Sequence, residues 1–167
     1  PKAVTIPATN VRIDNAVLHG VVNPNGVATN AWFEWGIDNA ALTGRSPDFP
    51  AGSGTTDNQV AFTAIGLKQK TTYYFRIAAI NSAGMEAQGE IRNLSTPPLP
   101  TVTTGGPTEI TINSAKLNGE VNPNGLQTNV WFEWGTDNNL LGYSTTDPQS
   151  IGTGVSNQPI NATIFVS

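Results

Sequence analysis

The chain has 167 residues, of which 38% are hydrophobic and 12% charged, enough apolar material for two modest cores rather than one large one. Seven Lys/Arg balance seven Asp/Glu before Pro98 and one Lys faces five acids after it, so the net charge of −4 gathers in the second half and leaves no basic footprint for nucleic acid. The absence of cysteine excludes a disulfide scaffold, a Cys-ligated zinc site and thiol catalysis; the apolar runs are too short for membrane insertion, and no signal sequence opens the chain at Pro1.

In chain order, Lys2 to Ile6 reads as a first strand. Ala16-Val17-Leu18-His19-Gly20-Val21-Val22 follows with period two, and Asn23-Pro24-Asn25-Gly26 supplies a turn, with proline at its second position and an Asn-Gly pair able to take positive φ. The next strand alternates Ala31, Phe33, Trp35 and Ile37 with Trp32, Glu34 and Gly36, so that Phe33 and Trp35 form the expected core pair. Trp32 then points outward beside a glutamate, which is unusual for so large an apolar ring. Gln59 to Leu67 reads as a short strand and turn, Thr72 to Asn81 as a β-rich strand ended by Ser82-Ala83-Gly84, and Met85 to Leu94 as a final edge strand. No segment sustains helical periodicity.

This pattern then recurs. Ala115-Lys116-Leu117-Asn118-Gly119-Glu120-Val121-Asn122-Pro123-Asn124-Gly125 repeats the segment from Ala16 at an offset of 99, and Trp131-Phe132-Glu133-Trp134-Gly135 repeats Trp32 to Gly36 at the same offset. The two copies identify the buried face: Ala16, Leu18, Gly20 and Val22 match Ala115, Leu117, Gly119 and Val121, whereas Val17, His19 and Val21 become Lys116, Asn118 and Glu120. A period near 100 suits one immunoglobulin-sized sandwich per repeat. Ser95-Thr96-Pro97-Pro98-Leu99-Pro100-Thr101 lies between the copies, and its three prolines predict either a semi-rigid linker holding two modules apart or a simple boundary turn. The expected organisation is a β-sandwich over 1–96, a linker over 97–101 and a second sandwich over 102–167.

The run from Leu67 through Tyr73-Tyr74-Phe75-Arg76-Ile77-Ala78-Ala79-Ile80-Asn81 to Gly84 resembles the end of a fibronectin type III domain, in which a leucine precedes a tyrosine-corner strand followed by Ala-x-Asn and a Gly-bearing turn. The resemblance implies that the Tyr73 hydroxyl bonds back to upstream backbone. Gln69 departs from the proline common in the family. The Val-Asn-Pro-Asn-Gly and Trp-Phe-Glu-Trp-Gly blocks resemble divergent bacterial versions found in long exported proteins. The fold implied is all-β, two tandem Ig-like, fibronectin type III-like sandwiches, with the second lacking its last two strands because Ser167 aligns with Lys68. Either the chain is cut short, or strands from a neighbouring subunit fill the gap, as in donor-strand filaments.

Catalysis finds little support. His19 is the sole histidine and its counterpart is Asn118, so a triad or metal site has no second member. Glu34 with Asp38, and Glu133 with Asp137, read as a solvated strand face and a turn rather than a carboxylate dyad or calcium site. No enzyme activity, cofactor or metal is expected. Asn93-Leu94-Ser95 and Asn161-Ala162-Thr163 match the glycosylation acceptor pattern, as accidental matches often do in Asn/Thr-rich chains. The residues singled out are Trp32, Glu34, Tyr74 and Arg76 with their second-copy equivalents Trp131 and Glu133, a candidate interaction patch on the outward sheet face. That patch either shields the sheet by stacking Trp on Arg or meets a partner. The expected function is thus a structural spacer or assembly module of an extracellular or cell-surface protein, with neighbouring subunits or other protein modules as partners; the alternative is carbohydrate binding through Trp and Tyr.

Overall fold

The computed structural model describes residues 1–166, and among them only strands, turns and loops occur, with no helix. They cluster into two units that divide between Pro97 and Pro98.

The first unit contains β1 (Lys2–Thr9), β2 (Asn15–Asn23), β3 (Thr29–Gly36), β4 (Gly44–Arg45), β5 (Phe49–Gly52), β6 (Asn58–Ile65), β7 (Thr72–Asn81), β8 (Glu86–Gln88) and β9 (Arg92–Ser95). One sheet has the order β1-β2-β6. In the other, β3 and β7 are central, β4 and β5 pair with the outer side of β3, and β8 and β9 pair with the outer side of β7. All the pairings are antiparallel. The two sheets make a β-sandwich whose inward faces follow the period-two alternation of the sequence. Ala16, Leu18 and Val22 of β2 are fully buried against Phe33, Phe75 and Ile77. Gly20 belongs to that inward set because Ile77 occupies its space: a Cβ there would lie 2.6 Å from Ile77 Cδ1 and 3.1 Å from Ile77 Cβ.

Ring contacts close the core at its sides. Phe33 and Phe49 have centroids 6.1 Å apart, and Trp35 stacks on Phe62 at 5.6 Å, within the range of favourable aromatic pairing. At the corner before β7 the Lys68 amide donates to the Tyr73 hydroxyl at 2.8 Å. Thr96 Oγ1 bonds the Lys68 carbonyl at 2.6 Å and accepts from the Thr71 amide at 3.0 Å. These bonds fasten the chain that enters β7 to the chain that leaves β9.

Three expectations change in detail. The hydrogen bond of the Asn-Pro-Asn-Gly turn runs from Val27 N–H to Pro24 C=O at 3.4 Å. Proline therefore opens the turn, and Asn25 (φ 52°) and Gly26 (φ 83°) take its two central positions, the positive-φ pair of a type I′ turn, here between strands of different sheets. The final edge strand is two short strands, β8 and β9, broken at Gly89, where any Cβ would strike Thr5. Between the repeats, the Pro97 carbonyl accepts from Lys70 N–H, Thr101 already opens the next strand and the Leu99 carbonyl accepts from Asn124 Nδ2.

The second unit contains β10 (Thr101–Thr104), β11 (Ser114–Asn122), β12 (Thr128–Val130), β13 (Glu133–Trp134), β14 (Ser144–Thr145), β15 (Gln149–Gly152) and β16 (Gln158–Phe165). The order β10-β11-β16 reproduces β1-β2-β6, while β12 with β15 and β13 with β14 reproduce β3 with β5 and β4. Among the described residues there is no counterpart of β7, β8 or β9. The sequence offset of 99 becomes 100 over β14 to β16, since Trp35 pairs with Gly44 but Trp134 with Ser144. It returns to 99 at Val166, whose amide bonds Asn113 C=O as Leu67 bonds Asp14 C=O. Ser167, the residue aligned with Lys68, lies outside the described residues.

The second core is correspondingly small. Val121, Val130, Phe132 and Ile160 are buried, with Leu117, Ile151 and Ala162 packed against them. The ring partners of the first unit are also replaced: Phe49 and Phe62 correspond to Gln149 and Ala162. Both copies keep the clasp beside the core phenylalanine, in which Ser46 or Thr146 bonds the Phe33 or Phe132 amide at 2.9 or 3.0 Å.

Candidate functional site

The outward face of β3 carries Trp32 and Glu34 because alternate residues of a strand face opposite sides. The β3–β7 register sets Ala78 opposite Trp32, Arg76 opposite Glu34 and Tyr74 opposite Gly36. The four first-unit residues of the predicted patch therefore share one face, with Tyr74 half-buried at its end.

Trp32 nevertheless is not the exposed ring that the alternation suggests: it is only 9% exposed. Arg45 of β4, opposite Glu34 in register, lays its guanidinium carbon 4.4 Å from the ring centroid. Asp48 holds that guanidinium at 2.6 Å. The indole Nε1–H donates to Glu34 Oε1 at 2.9 Å, and Arg76 Nε donates to Glu34 Oε2 at 2.8 Å. Stacking of Trp on Arg thus shields the sheet, although Arg45 rather than Arg76 supplies the cation.

Burial pushes the Glu34 carboxyl up, but the hydrogen bonds from Trp32 and Arg76 and the charges of Arg76 and Arg45 outweigh it, so its pKa lies below the ordinary glutamate value. The Trp32 indole, the Glu34 carboxylate and the guanidinium groups of Arg45 and Arg76 each have a partner. The arrangement can brace a sheet.

The equivalent face of the second unit is open. Trp131 is 50% exposed, and its Nε1–H reaches Glu133 Oε1 at a longer 3.3 Å. Two differences account for this. Thr145 stands where the first unit has Arg45, so no guanidinium caps the ring; and no strand among the described residues pairs with the free edge of β12 and β13. Glu133 is exposed and has no ion-pair partner among the described residues.

On the neighbouring sheet a second difference appears. In the first unit Thr5 of β1 is 2% exposed, its Oγ1 accepts from the Ile77 amide at 3.3 Å, and its carbonyl accepts from Arg92 Nε at 2.8 Å. Thr104 of β10 holds the same register position, opposite Gly119 as Thr5 is opposite Gly20, yet all of β10 is exposed. Between β10 and β12 lies a groove of about 310 Å³, walled by Val102, Val121, Val130 and Trp131. Sequence reasoning missed Arg45 and the Thr5/Thr104 pair. A two-residue strand such as β4 has no pattern to read, although the Thr5/Thr104 match stands at the repeat offset.

The remaining candidates are local. His19 Nε2 of β2 lies 2.7 Å from Thr9 Oγ1 of the adjacent strand β1. Asp38 and Asp137 each accept from a backbone amide two residues on, Ala40 and Asn139, as turn residues do. Among the described residues no three His, Asp or Glu side chains gather closely enough to hold a metal ion. No protein-family model matches the chain, and no curated protein matches it.

Proposed function

We propose that this chain is a non-catalytic structural and assembly segment of an exported cell-surface protein or extracellular filament, built from tandem fibronectin type III-like modules. The observation that carries the proposal is the open side of the second unit. It repeats β1 to β6 and the outward Trp-x-Glu of the first unit, but among the described residues leaves an unpaired strand edge and a half-exposed tryptophan where the first unit is covered. Such an edge is a template for pairing with another polypeptide. Low charge, repetition and a surface of hydroxyls and amides suit a module used for spacing and contact rather than chemistry.

The test is size analysis with light scattering and electron microscopy of the full chain over a wide concentration range. Ordered oligomers or fibres, or co-assembly with a strand-bearing partner, are expected. A chain that stays monomeric throughout, with its second unit folded and its edge amides protected, refutes the proposal.

A second function, carbohydrate binding, draws on Trp131 alone, because Arg45 seals Trp32 from a sugar ring. Glycan screening of the chain and of Trp131→Ala tests it; binding unaffected by the substitution removes this reading.

A further inference from the structure

We infer that Asn25 is a site of spontaneous covalent modification, at which the folded chain converts asparagine to aspartate and isoaspartate with water as the only co-reactant, while its repeat counterpart Asn124 reacts far more slowly. The inference concerns the chemistry of one turn and stands independently of the assembly proposal above.

The two copies form a matched pair. Pro24-Asn25-Gly26 and Pro123-Asn124-Gly125 have the same residues and the same backbone, with φ of 52° and 83° in the first copy and 51° and 84° in the second. In both, the asparagine amide donates to the side chain two residues back, Asn23 or Asn122 Oδ1, at 2.9 or 3.0 Å. The following glycine amide donates to the Gly54 or Gly154 carbonyl at 2.9 or 3.0 Å. Space around the two glycines is also alike: an added Cβ would meet only Thr55 Cγ2, at 4.0 Å, in the first copy and nothing within 4 Å in the second.

The copies part at the carboxamide. Asn124 is half-buried, and its Nδ2–H donates to the Leu99 carbonyl at 2.6 Å. Asn25 is exposed, and its carboxamide makes no hydrogen bond among the described residues.

That difference bears on the reaction directly. Ring closure joins the Gly26 nitrogen to Asn25 Cγ as the Cγ–Nδ2 bond breaks. The glycine amide proton passes through solvent base to the departing Nδ2, which leaves as ammonia. Water then opens the succinimide: hydrolysis at Cγ gives aspartate, and hydrolysis at the main-chain carbonyl gives isoaspartate, whose backbone is longer by one methylene. Either product adds a negative charge to the turn. Two motions are required, release of the glycine N–H from its carbonyl and rotation of the carboxamide onto that nitrogen. The first is equivalent in both copies. The second is free at Asn25, whereas Asn124 must also break its bond to Leu99 and regain the rotamer freedom that the bond removes. Opening of a single hydrogen bond, a local event, is enough to expose Asn25 to the reaction.

The test keeps the full chain at mildly alkaline pH, samples it over time and maps digests by mass spectrometry with fragmentation that separates aspartate from isoaspartate. A parallel sample is held in concentrated urea. Conversion severalfold faster at Asn25 than at Asn124 is expected in the folded chain, with a rate that rises with pH. In urea the two sites are expected to converge, because their flanking residues match. Asn25→Gln is expected to remove the early acidic species from ion-exchange profiles of the aged chain. Equal rates in the folded chain, faster conversion at Asn124, or an Asn25 that stays intact while the urea sample converts overturns the inference. So does a difference just as large in urea, which would place its cause in the local sequence rather than in the Leu99 bond, and so does an unchanged acidic species in Asn25→Gln.

Discussion

Replacing Arg45 by threonine would give the first unit the residue that the second unit carries at the same place. In the folded protein the guanidinium sits 4.4 Å from the Trp32 centroid and the ring is 9% exposed. A cation–π contact at a partly covered site contributes between about 0.5 and 2 kcal/mol. The Arg45–Asp48 pair is roughly half exposed on both sides, and a surface pair of that kind adds little. The aliphatic stem of Arg45 also covers apolar surface. Together these put the loss near 1 kcal/mol, which for a unit of this size lowers Tm by about 4–8 °C. Calorimetry measures the shift, and residue-resolved oxidative footprinting of the intact chain measures ring exposure. Trp32 should oxidise faster in Arg45→Thr and approach the rate of Trp131, while Thr145→Arg should slow Trp131. A Tm unchanged in Arg45→Thr, with Trp32 oxidised no faster than before, would refute the claim that Arg45 keeps this ring from solvent.

Tyr73→Phe leaves the Lys68 amide without its 2.8 Å acceptor; a loss of about 1 kcal/mol and faster hydrogen exchange at Lys68 are expected in urea titration and exchange measurements. Phe33→Ala empties a fully buried site beside Phe49 and should cost about 3–5 kcal/mol, a large share of the roughly 5–15 kcal/mol that holds a domain together. Phe132→Ala should cost less, since its counterpart of Phe49 is Gln149, and separate thermal transitions of the two variants check the difference. Glu34 has a folded pKa below its unfolded value, so its contribution is fully present above the ordinary glutamate pKa of about 4.3 and is lost as pH falls through the folded pKa. Acid titration of stability should show this loss, and Glu34→Gln should flatten the titration over that range.

Much of the fold is legible in the residues because both copies obey the same period-two rule. Exchange of Val17, His19 and Val21 for Lys116, Asn118 and Glu120, with Ala, Leu and Gly kept between them, marks the buried side without any coordinates. Phe33 in the core, and the bond of Tyr73 back to Lys68, follow from the same local logic, whereas Trp35, expected as its core partner, is only half-buried against that core. The outward face is less legible. Its alternation places Trp32 correctly, but whether a ring meets solvent depends on what crosses it from another strand, and Arg45 lies on a two-residue strand that no periodicity announces. The split of the last edge into β8 and β9 is likewise a tertiary matter, set by the approach of Thr5 to Gly89. In the second unit the altered offset is the work of one extra residue in the turn between β13 and β14, which leaves Trp134 opposite Ser144.

The most direct measurement of the central claim is hydrogen exchange of the isolated chain, comparing the segment Thr29–Gly36 with its counterpart at residues 128–135. Slow exchange is expected along the first segment, where β7 covers the edge, and fast exchange at those amides of the second that face away from β14 and β15. Equal, strong protection of both segments in the dilute chain would mean that the second edge is already covered, and would contradict the proposal that it is open to a partner's strand.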